Sequence, residues 1–427
     1  MIALKVVHLN TYDGNGGAGR AVLRLNGALK AIGVDSSVVT LYQFDERSGV
    51  NTYASSLIKK SKAIFNILSE RYLVKLFLRD TTVPFSLQRF GVSPKEIEEL
   101  RNADVIHIHW INHGFFSPKN IQELHYFFNK KIFWTLHDSN PITGGCHVRY
   151  NCDGFLNECG RCPVLSGKNP KDLSNRTWKL KSEAYEKLDF QIIAPSKWMR
   201  ESAAKASLTK DKQSFFIANA LDTDFFVPQD KSKCRAALGL PQDCFIILAG
   251  HMPSTADRHK GFTQLKEAIA NLSSHPAIGN QKLLLLFYGS DGVGEAESIA
   301  IPHKFFGKVT NDNVLVELYN AADVFLFPSI EESMGYTALE SLSCSTPVVA
   351  FDTSGVTDVV VHKHNGYLAK LYDTNGLAEG ILWIMNTVDR KALSENARAW
   401  AQTRFSLAVI AEQHYYLYLN QMDKARK

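Results

Sequence analysis

Short apolar runs alternate along the chain with longer stretches of helical period. A short run bounded by turn residues reads as a strand. Near-continuous apolarity, as in Leu283-Leu284-Leu285-Leu286-Phe287, suits a strand covered on both faces. The pattern predicts strands at 4–10, 36–41, 104–110, 131–138, 190–196 and 214–220, and a second set at 244–250, 282–289, 303–307, 323–329 and 347–352. Strands alternating with helices point to an α/β chain with parallel sheets. The two sets part near residues 219–228. In 407–427, Val409, Ile410, Tyr416 and Leu417 fall near helical spacing, which predicts a closing amphipathic helix. Residues 56–90 break the rhythm by mixing Lys59, Lys60, Lys62, Arg71, Lys75 and Arg79 with Ile64, Phe65, Ile67, Leu68, Leu73, Leu76 and Phe77. Such a helix either packs on its own sheet or lies on an anionic membrane surface.

Length then sets the domain count. The 427 residues exceed the roughly 250–300 at which a single core stops growing. Two domains are expected, 1–220 and 221–404, with 405–427 as a helix packing back towards the first. At 45% hydrophobic and 21% charged, the composition is that of a soluble globular protein. No apolar run nears the roughly 18 residues of a spanning helix, and residues 1–9 lack the zones of a signal peptide. A cytoplasmic address is expected. Residues 1–218 hold 30 Lys and Arg against 20 Asp and Glu, the remainder 18 against 23. A basic first half favours an anionic surface or acceptor such as a lipid phosphate, or is simply solvated. A nucleic-acid footprint would be more basic, so no nucleic acid is expected.

Two motifs carry candidate chemistry. After the first strand, Asp13-Gly14-Asn15-Gly16-Gly17-Ala18-Gly19-Arg20 satisfies the dinucleotide fingerprint, whose glycines let backbone N–H groups approach a phosphate. The ribose acid that a dehydrogenase needs at the end of the second strand is missing, since Asp35 starts that strand and Asp45 lies beyond it. The loop is otherwise a tight strand-to-helix turn. In the second half, a strand ends in Pro328-Ser329-Ile330-Glu331-Glu332-Ser333-Met334-Gly335-Tyr336-Thr337-Ala338-Leu339-Glu340. A helix starting near Ser333–Gly335 would offer free N–H groups of Gly335, Tyr336 and Thr337 to a diphosphate. Glu340 then lies about 8 Å further along the helix, the distance from a β-phosphate to a ribose. Glu332, in the turn, would face the transferred sugar. The bland alternative makes Glu332 a cap and Glu340 a surface residue.

This motif resembles the glutamate, seven residues, glutamate signature of family-four retaining glycosyltransferases. Cys344-Ser345-Thr346-Pro347-Val348-Val349-Ala350 and Ser354-Gly355-Val356 also match that family. The resemblance runs from Gly16-Gly17 to Phe405-Ser406 and the Tyr-rich final helix. It implies the GT-B fold: two facing Rossmann-like domains with parallel sheets and a deep cleft between them. It also implies a hexosyl transfer from a UDP- or GDP-sugar to a glycan or polyprenyl-phosphate-linked acceptor in cell-surface polysaccharide synthesis, at the inner face of the membrane. No organic cofactor is implied. Gly16, Gly17, Ser333, Met334, Gly335, Tyr336, Thr337 and Glu340 would bind donor, and Glu332 would contact its sugar.

Arg258 and Lys260 precede a predicted helix, where cations are unfavourable by ~0.3–1 kcal/mol each unless an anion answers them. A diphosphate would be that anion; flexible surface charges are the alternative. His137 ends the strand Ile132-Phe133-Trp134-Thr135-Leu136, and the resembling enzymes place a histidine there against the donor sugar. No side chain stands out as a nucleophile. That fits a retaining, metal-independent mechanism in which the leaving diphosphate assists attack on the same face. Asp222-Thr223-Asp224 resembles this family's domain crossover, not a metal motif.

Cys146, Cys152, Cys159 and Cys162 place four thiols within 17 residues, in the loop 143–165. Four thiolates suit tetrahedral Zn2+; an iron–sulfur cluster or plain buried cysteines are the alternatives. The segment resembles a subset of bacterial exopolysaccharide glycosyltransferases carrying such a cluster. Two other functions stay open: a non-catalytic nucleotide-sugar or glycan-binding module, and a Rossmann oxidoreductase.

Overall fold

The computed structural model describes residues 4–14, 16–45, 49–80, 83–167, 169–250, 258–289 and 299–426. Residues 251–257, the start of the loop quoted before Arg258, lie outside them, as does Asn15. The chain divides into two compact units, one of Met1–Ala220 with Leu407–Lys427 and one of Leu221–Ser406.

The first unit is built on seven strands: β1 (Lys5–Tyr12), β2 (Asp35–Tyr42), β3 (Asn51–Thr52), β4 (Val105–Ile108), β5 (Lys131–Thr135), β6 (Gln191–Ala194) and β7 (Ser214–Phe216). They lie in the order β3-β2-β1-β4-β5-β6-β7, and every neighbouring pair is parallel. The inner strands are buried because helices cover both faces, and they carry apolar side chains together with the buried His8 and His107. Ile106, Ile108, Ile132 and Trp134 all sit in the unit's main core. At about 1.5–3 kcal/mol for each fully buried side chain of this size, these central strands carry much of the unit's stability. The helix Leu407–Arg426 belongs here, packed on the helix Gly16–Ala31. Within it, Tyr418 Oη meets His107 Nδ1 at 2.7 Å.

The second unit has six strands: β8 (Phe245–Gly250), β9 (Leu283–Tyr288), β10 (His303–Phe305), β11 (Val324–Phe327), β12 (Val348–Phe351) and β13 (Gly366–Ala369). Their order is β10-β9-β8-β11-β12-β13, again all parallel. The Leu283–Tyr288 run reads as expected, with Leu285, Leu286 and Phe287 fully buried. In both sheets the chain leaves each strand at its carboxyl end into the turns that carry the residues singled out above, the edge where open α/β sheets bind ligands.

Candidate functional site

In the second unit, β11 runs through Pro328 into a turn, and the helix Tyr336–Ser343 follows. Its N-cap is Gly335 at φ +99°, with no side chain capping the end. The positive φ favours glycine. A Cβ there would also sit 3.3 Å from the Phe327 ring. The first N–H groups of an α-helix have no intrahelical acceptor, so this end offers donors and the positive pole of the helix dipole. Ser333, Tyr336 and Thr337 are half-buried there. Met334 is 1% exposed, so its side chain is a core residue and only its backbone faces the turn.

Glu340 lies further down the same helix and is 2% exposed, which removes the surface-residue reading. Buried carboxylates need partners. Tyr319 Oη donates to Glu340 Oε2 at 3.3 Å and lies 3.1 Å from Tyr288 Oη at the end of β9. Burial first, then the charges and hydroxyl around it, holds the Tyr319 phenol well above its usual range, so it stays a donor.

The turn Arg258–Lys260 meets this segment. Lys260 Nζ donates to Glu332 Oε1 at 2.7 Å, and Ile330 N–H donates to the His259 carbonyl at 2.7 Å. Gly261 N-caps the next helix, Phe262–Ser273, at φ +71°. A Cβ there would fall 1.9 Å from the Pro328 carbonyl oxygen, so the close approach of the two turns requires glycine. Burial pushes the Glu332 carboxyl up. The Lys260 and His259 charges and hydrogen bonds from Lys260 and Ser329 outweigh it and hold the group below its usual value. The Glu332 backbone is also fixed: its N–H donates to Ser354 Oγ at 3.0 Å, and its carbonyl accepts from Gly355 N–H at 2.9 Å. Arg258 is exposed. The Asp222 carboxylate accepts the N–H groups of Asp224 and Phe225 and so closes a turn.

In the first unit, the glycine turn carries φ +34° at Gly14 and φ +80° at Gly16. A Cβ on Gly19 would lie 3.1 Å from the Gly14 backbone, while Gly16 and Gly17 face open space. Asp35 pairs with Lys5 at 3.7 Å at the start of β2. Asp13 accepts the N–H groups of Phe44 and Asp45 at 2.8 Å. The carboxylates of Asp35 and Asp13 are thereby engaged within the unit itself.

His137 follows β5, and its Nε2 lies 2.9 Å from His109 Nδ1. Burial holds its imidazole down at about 4, against the pull of Asp138. Asp138 accepts from Trp110 Nε1 at 2.7 Å and Asn140 N–H at 2.8 Å, and meets His147 Nδ1 at 2.5 Å. Lys181 is fully buried and donates to the Asn140 and Thr143 carbonyls and to Asn140 Oδ1, tying this loop to the helix Leu173–Glu186. Sequence reasoning missed Lys181, which reads there as one more helix lysine.

Cys146, Cys152, Cys159 and Cys162 line one small cavity as free thiols. Cys146 and Cys162 share a thiol hydrogen bond. Backbone N–H groups reach the sulfurs: Gly144 donates to Cys159 Sγ at 3.2 Å, and Val164 and Leu165 donate to Cys162. The bond from Cys146 comes first in drawing the Cys162 thiol down to about 7. Burial pushes Cys159 up to about 11. Among the described residues a different group, His8, His107 and His109, brings three ligand atoms within 4.8 Å of one another. Sequence reasoning missed these histidines as well, although the alternation His107-Ile108-His109 put two on one side of β4 and the residue that follows it.

The family model described as glycosyl transferases group 1 matches residues 231–400. The chain is 30% identical over 184 residues to the D-inositol 3-phosphate glycosyltransferase of Stackebrandtia nassauensis, covering 40% of this chain and 41% of that protein. It spans half or less of the length of the inositol-phosphate glycosyltransferases it matches first. It is also 23% identical over 333 residues to the N-acetyl-alpha-D-glucosaminyl L-malate synthase of Bacillus anthracis, covering 76% of each. Among solved structures, sucrose-phosphate synthase from Thermosynechococcus elongatus superposes with a TM-score of 0.67 at 20% identity, over 99% of this chain and 100% of that one. Anabaena HepE in complex with UDP and glucose gives 0.63 at 17% identity, over 97% and 99%. These likenesses establish the two-sheet α/β fold of the GT-B class.

Proposed function

We propose, from the match of residues 231–400 to the glycosyl transferases group 1 family model, that this chain moves a hexosyl residue from a UDP- or GDP-sugar to a glycan or lipid-linked saccharide, with retention at the anomeric carbon. The observation that carries this reading is the uncapped helix Tyr336–Ser343 with Glu340 buried along its length. Its amino end would take the diphosphate, with Lys260 and Arg258 answering the negative charge. Glu340 would accept the ribose hydroxyls, charged hydrogen bonds worth roughly 1.5–3 kcal/mol each. Glu332, held ionised by Lys260, would bind the sugar, as would His137. As the sugar–phosphate bond breaks, charge grows on the diphosphate. A preorganised helix end and lysine stabilise it without rearranging. The leaving oxygen would then take the acceptor hydroxyl's proton on the same face. Titration calorimetry with UDP and GDP tests the assignment: Glu340→Ala is expected to lose about 100-fold or more in affinity, and unchanged affinity overturns it.

One feature supports a membrane-surface setting for the cytoplasmic, cell-surface polysaccharide role proposed. No helix among the described residues is long and apolar enough to cross a membrane. The helix Leu57–Phe77, however, exposes Leu57, Ile58, Phe65, Leu68, Tyr72 and Leu76. The last four recur at the three- and four-residue spacing of one face, amid exposed Lys60, Lys62, Arg71, Lys75 and Arg79. Apolar side chains flanked by cations fit an anionic bilayer carrying a polyprenyl-phosphate-linked acceptor. The four thiols of loop 143–165 fit a structural Zn2+, with N–H groups already aimed at Cys159 and Cys162 to share thiolate charge.

A further inference from the structure

The buried histidines of the first unit form a continuous hydrogen-bonded chain. Ser36 Oγ donates to Asn26 Oδ1 at 2.8 Å. His8 Nε2 lies 3.1 Å from Ser36 Oγ, and His8 Nδ1 lies 3.0 Å from His109 Nε2. His109 Nδ1 in turn lies 2.9 Å from His137 Nε2. The parallel register of β1 on β4 pairs His8 with His107 and so sets this chain on one face of the sheet. His107 packs on His109 with ring centroids 4.1 Å apart, and its own nitrogens meet Tyr418 Oη and Thr135 Oγ1 at 2.7 Å. All six nitrogens of His8, His107 and His109 therefore have protein partners, three of them through hydroxyls. The trio reads as a hydrogen-bond relay rather than a metal site.

Neutral imidazole has one donor and one acceptor nitrogen, so each bond in the chain fixes the sense of the next. Ser36 spends its only proton on Asn26 and must accept from His8 Nε2–H. His8 Nδ1 is then a lone pair and accepts from His109 Nε2–H. His109 Nδ1 is likewise a lone pair and accepts from His137 Nε2–H. What remains is the outer nitrogen of His137, Nδ1, which has no protein partner among the described residues. Burial keeps His8, His109 and His137 below the usual imidazole range, which leaves one proton per ring.

We propose that Ser36, His8 and His109 are positioning residues that lock His137 in its Nε2–H tautomer, so that its Nδ1 presents a lone pair to the ligand. Resting on the reading that His137 meets the donor sugar, this specifies the group it meets. That group must donate, so it is a hydroxyl of a neutral sugar. A carboxylate or phosphate oxygen there would set lone pair against lone pair. The chain has only two consistent polarities, and Asn26, buried on the helix Gly16–Ala31, chooses between them.

Nitrogen-15 NMR of the side chains in histidine-labelled full-length protein tests this at neutral pH, where the non-protonated and protonated ring nitrogens resonate apart. His8, His109 and His137 are all expected as Nε2–H tautomers. In Ser36→Ala the Nδ1–H form of His137 is expected to rise about five- to tenfold, the effect of one lost hydrogen bond, and Ser36→Thr is expected to restore it. The reverse tautomer in all three rings, a mixed pattern in the wild type, or an unmoved His137 in folded Ser36→Ala overturns the proposal. If Ser36→Ala does not fold, the wild-type pattern alone decides. With a donor in hand, Ser36→Ala is expected to lower kcat/KM about fivefold with UDP or GDP affinity unchanged. The tautomers are read without turnover. An absent transfer activity therefore defeats the functional reading and leaves the relay standing, while a wrong tautomer defeats the relay alone.

Discussion

Acidification should unfold the first unit through its histidines. His8 and His113 are held down at about 3, His137 and His414 at about 4, all chiefly by burial. An unfolded histidine titrates near 6.5. The unfolded chain therefore binds more protons than the folded one as pH drops below about 6.5, and stability is lost as pH falls towards 4. At pH 5 each group costs about 2 kcal/mol, close to the 1.36 kcal/mol per pH unit times the 1.5 units below 6.5. The four together reach about 6–8 kcal/mol, comparable to the whole stability of an ordinary domain, about 5–15 kcal/mol. Urea unfolding followed at pH 7, 6 and 5 should show the loss. Hydrogen exchange read by mass spectrometry should place it in peptides of β1, β4 and β5. Calorimetry in buffers of different ionisation heat should find net proton uptake on unfolding at pH 5. A stability flat from pH 7 to 5, or proton release on unfolding, would refute the reasoning.

Four further outcomes are expected. Lys260→Ala leaves Glu332 half-buried without its cation, so UDP or GDP affinity should fall about 10- to 100-fold while the fold survives, as calorimetry and circular dichroism would show. Gly261→Ala drives a Cβ onto the Pro328 carbonyl at a positive φ, and should cost the second unit about 1–3 kcal/mol in urea unfolding. Elemental analysis of chelator-free protein should find one zinc per chain; its loss in Cys159→Ser and Cys162→Ser together would assign the ligands, and metal-free folded protein would rule zinc out. Phe65→Glu with Leu68→Glu should abolish flotation with phosphatidylglycerol vesicles, and wild-type binding should weaken with salt.

The strands were legible because parallel strands buried on both faces leave runs such as Ile132-Phe133-Trp134, which composition exposes directly. β3, two residues long, and β13, which opens on Gly366 and Tyr367, were not, since neither is long or apolar enough to stand out. Glu332, Gly335 and Glu340 could be placed from sequence because one strand, one turn and one helix hold all three. The burial of Met334 could not, because the spacing marks a turn without saying which side of it packs inward. His8 and His109 lie 101 residues apart and meet only through the β1–β4 register. Tyr319 reaches Glu340 only because separate helices share one core. Contacts made by the tertiary fold leave no local period to read.

The return of the helix Leu407–Arg426 to the first unit has a consequence for synthesis. Residues 221–406 are contiguous and can fold as soon as they leave the ribosome. The earlier unit, though translated first, waits for residues 407–426 before Tyr418 can meet His107 and Gln421 can meet Gln191. The two units of the nascent protein would thus mature in the reverse of their reading order, the first staying unfinished until that helix has emerged.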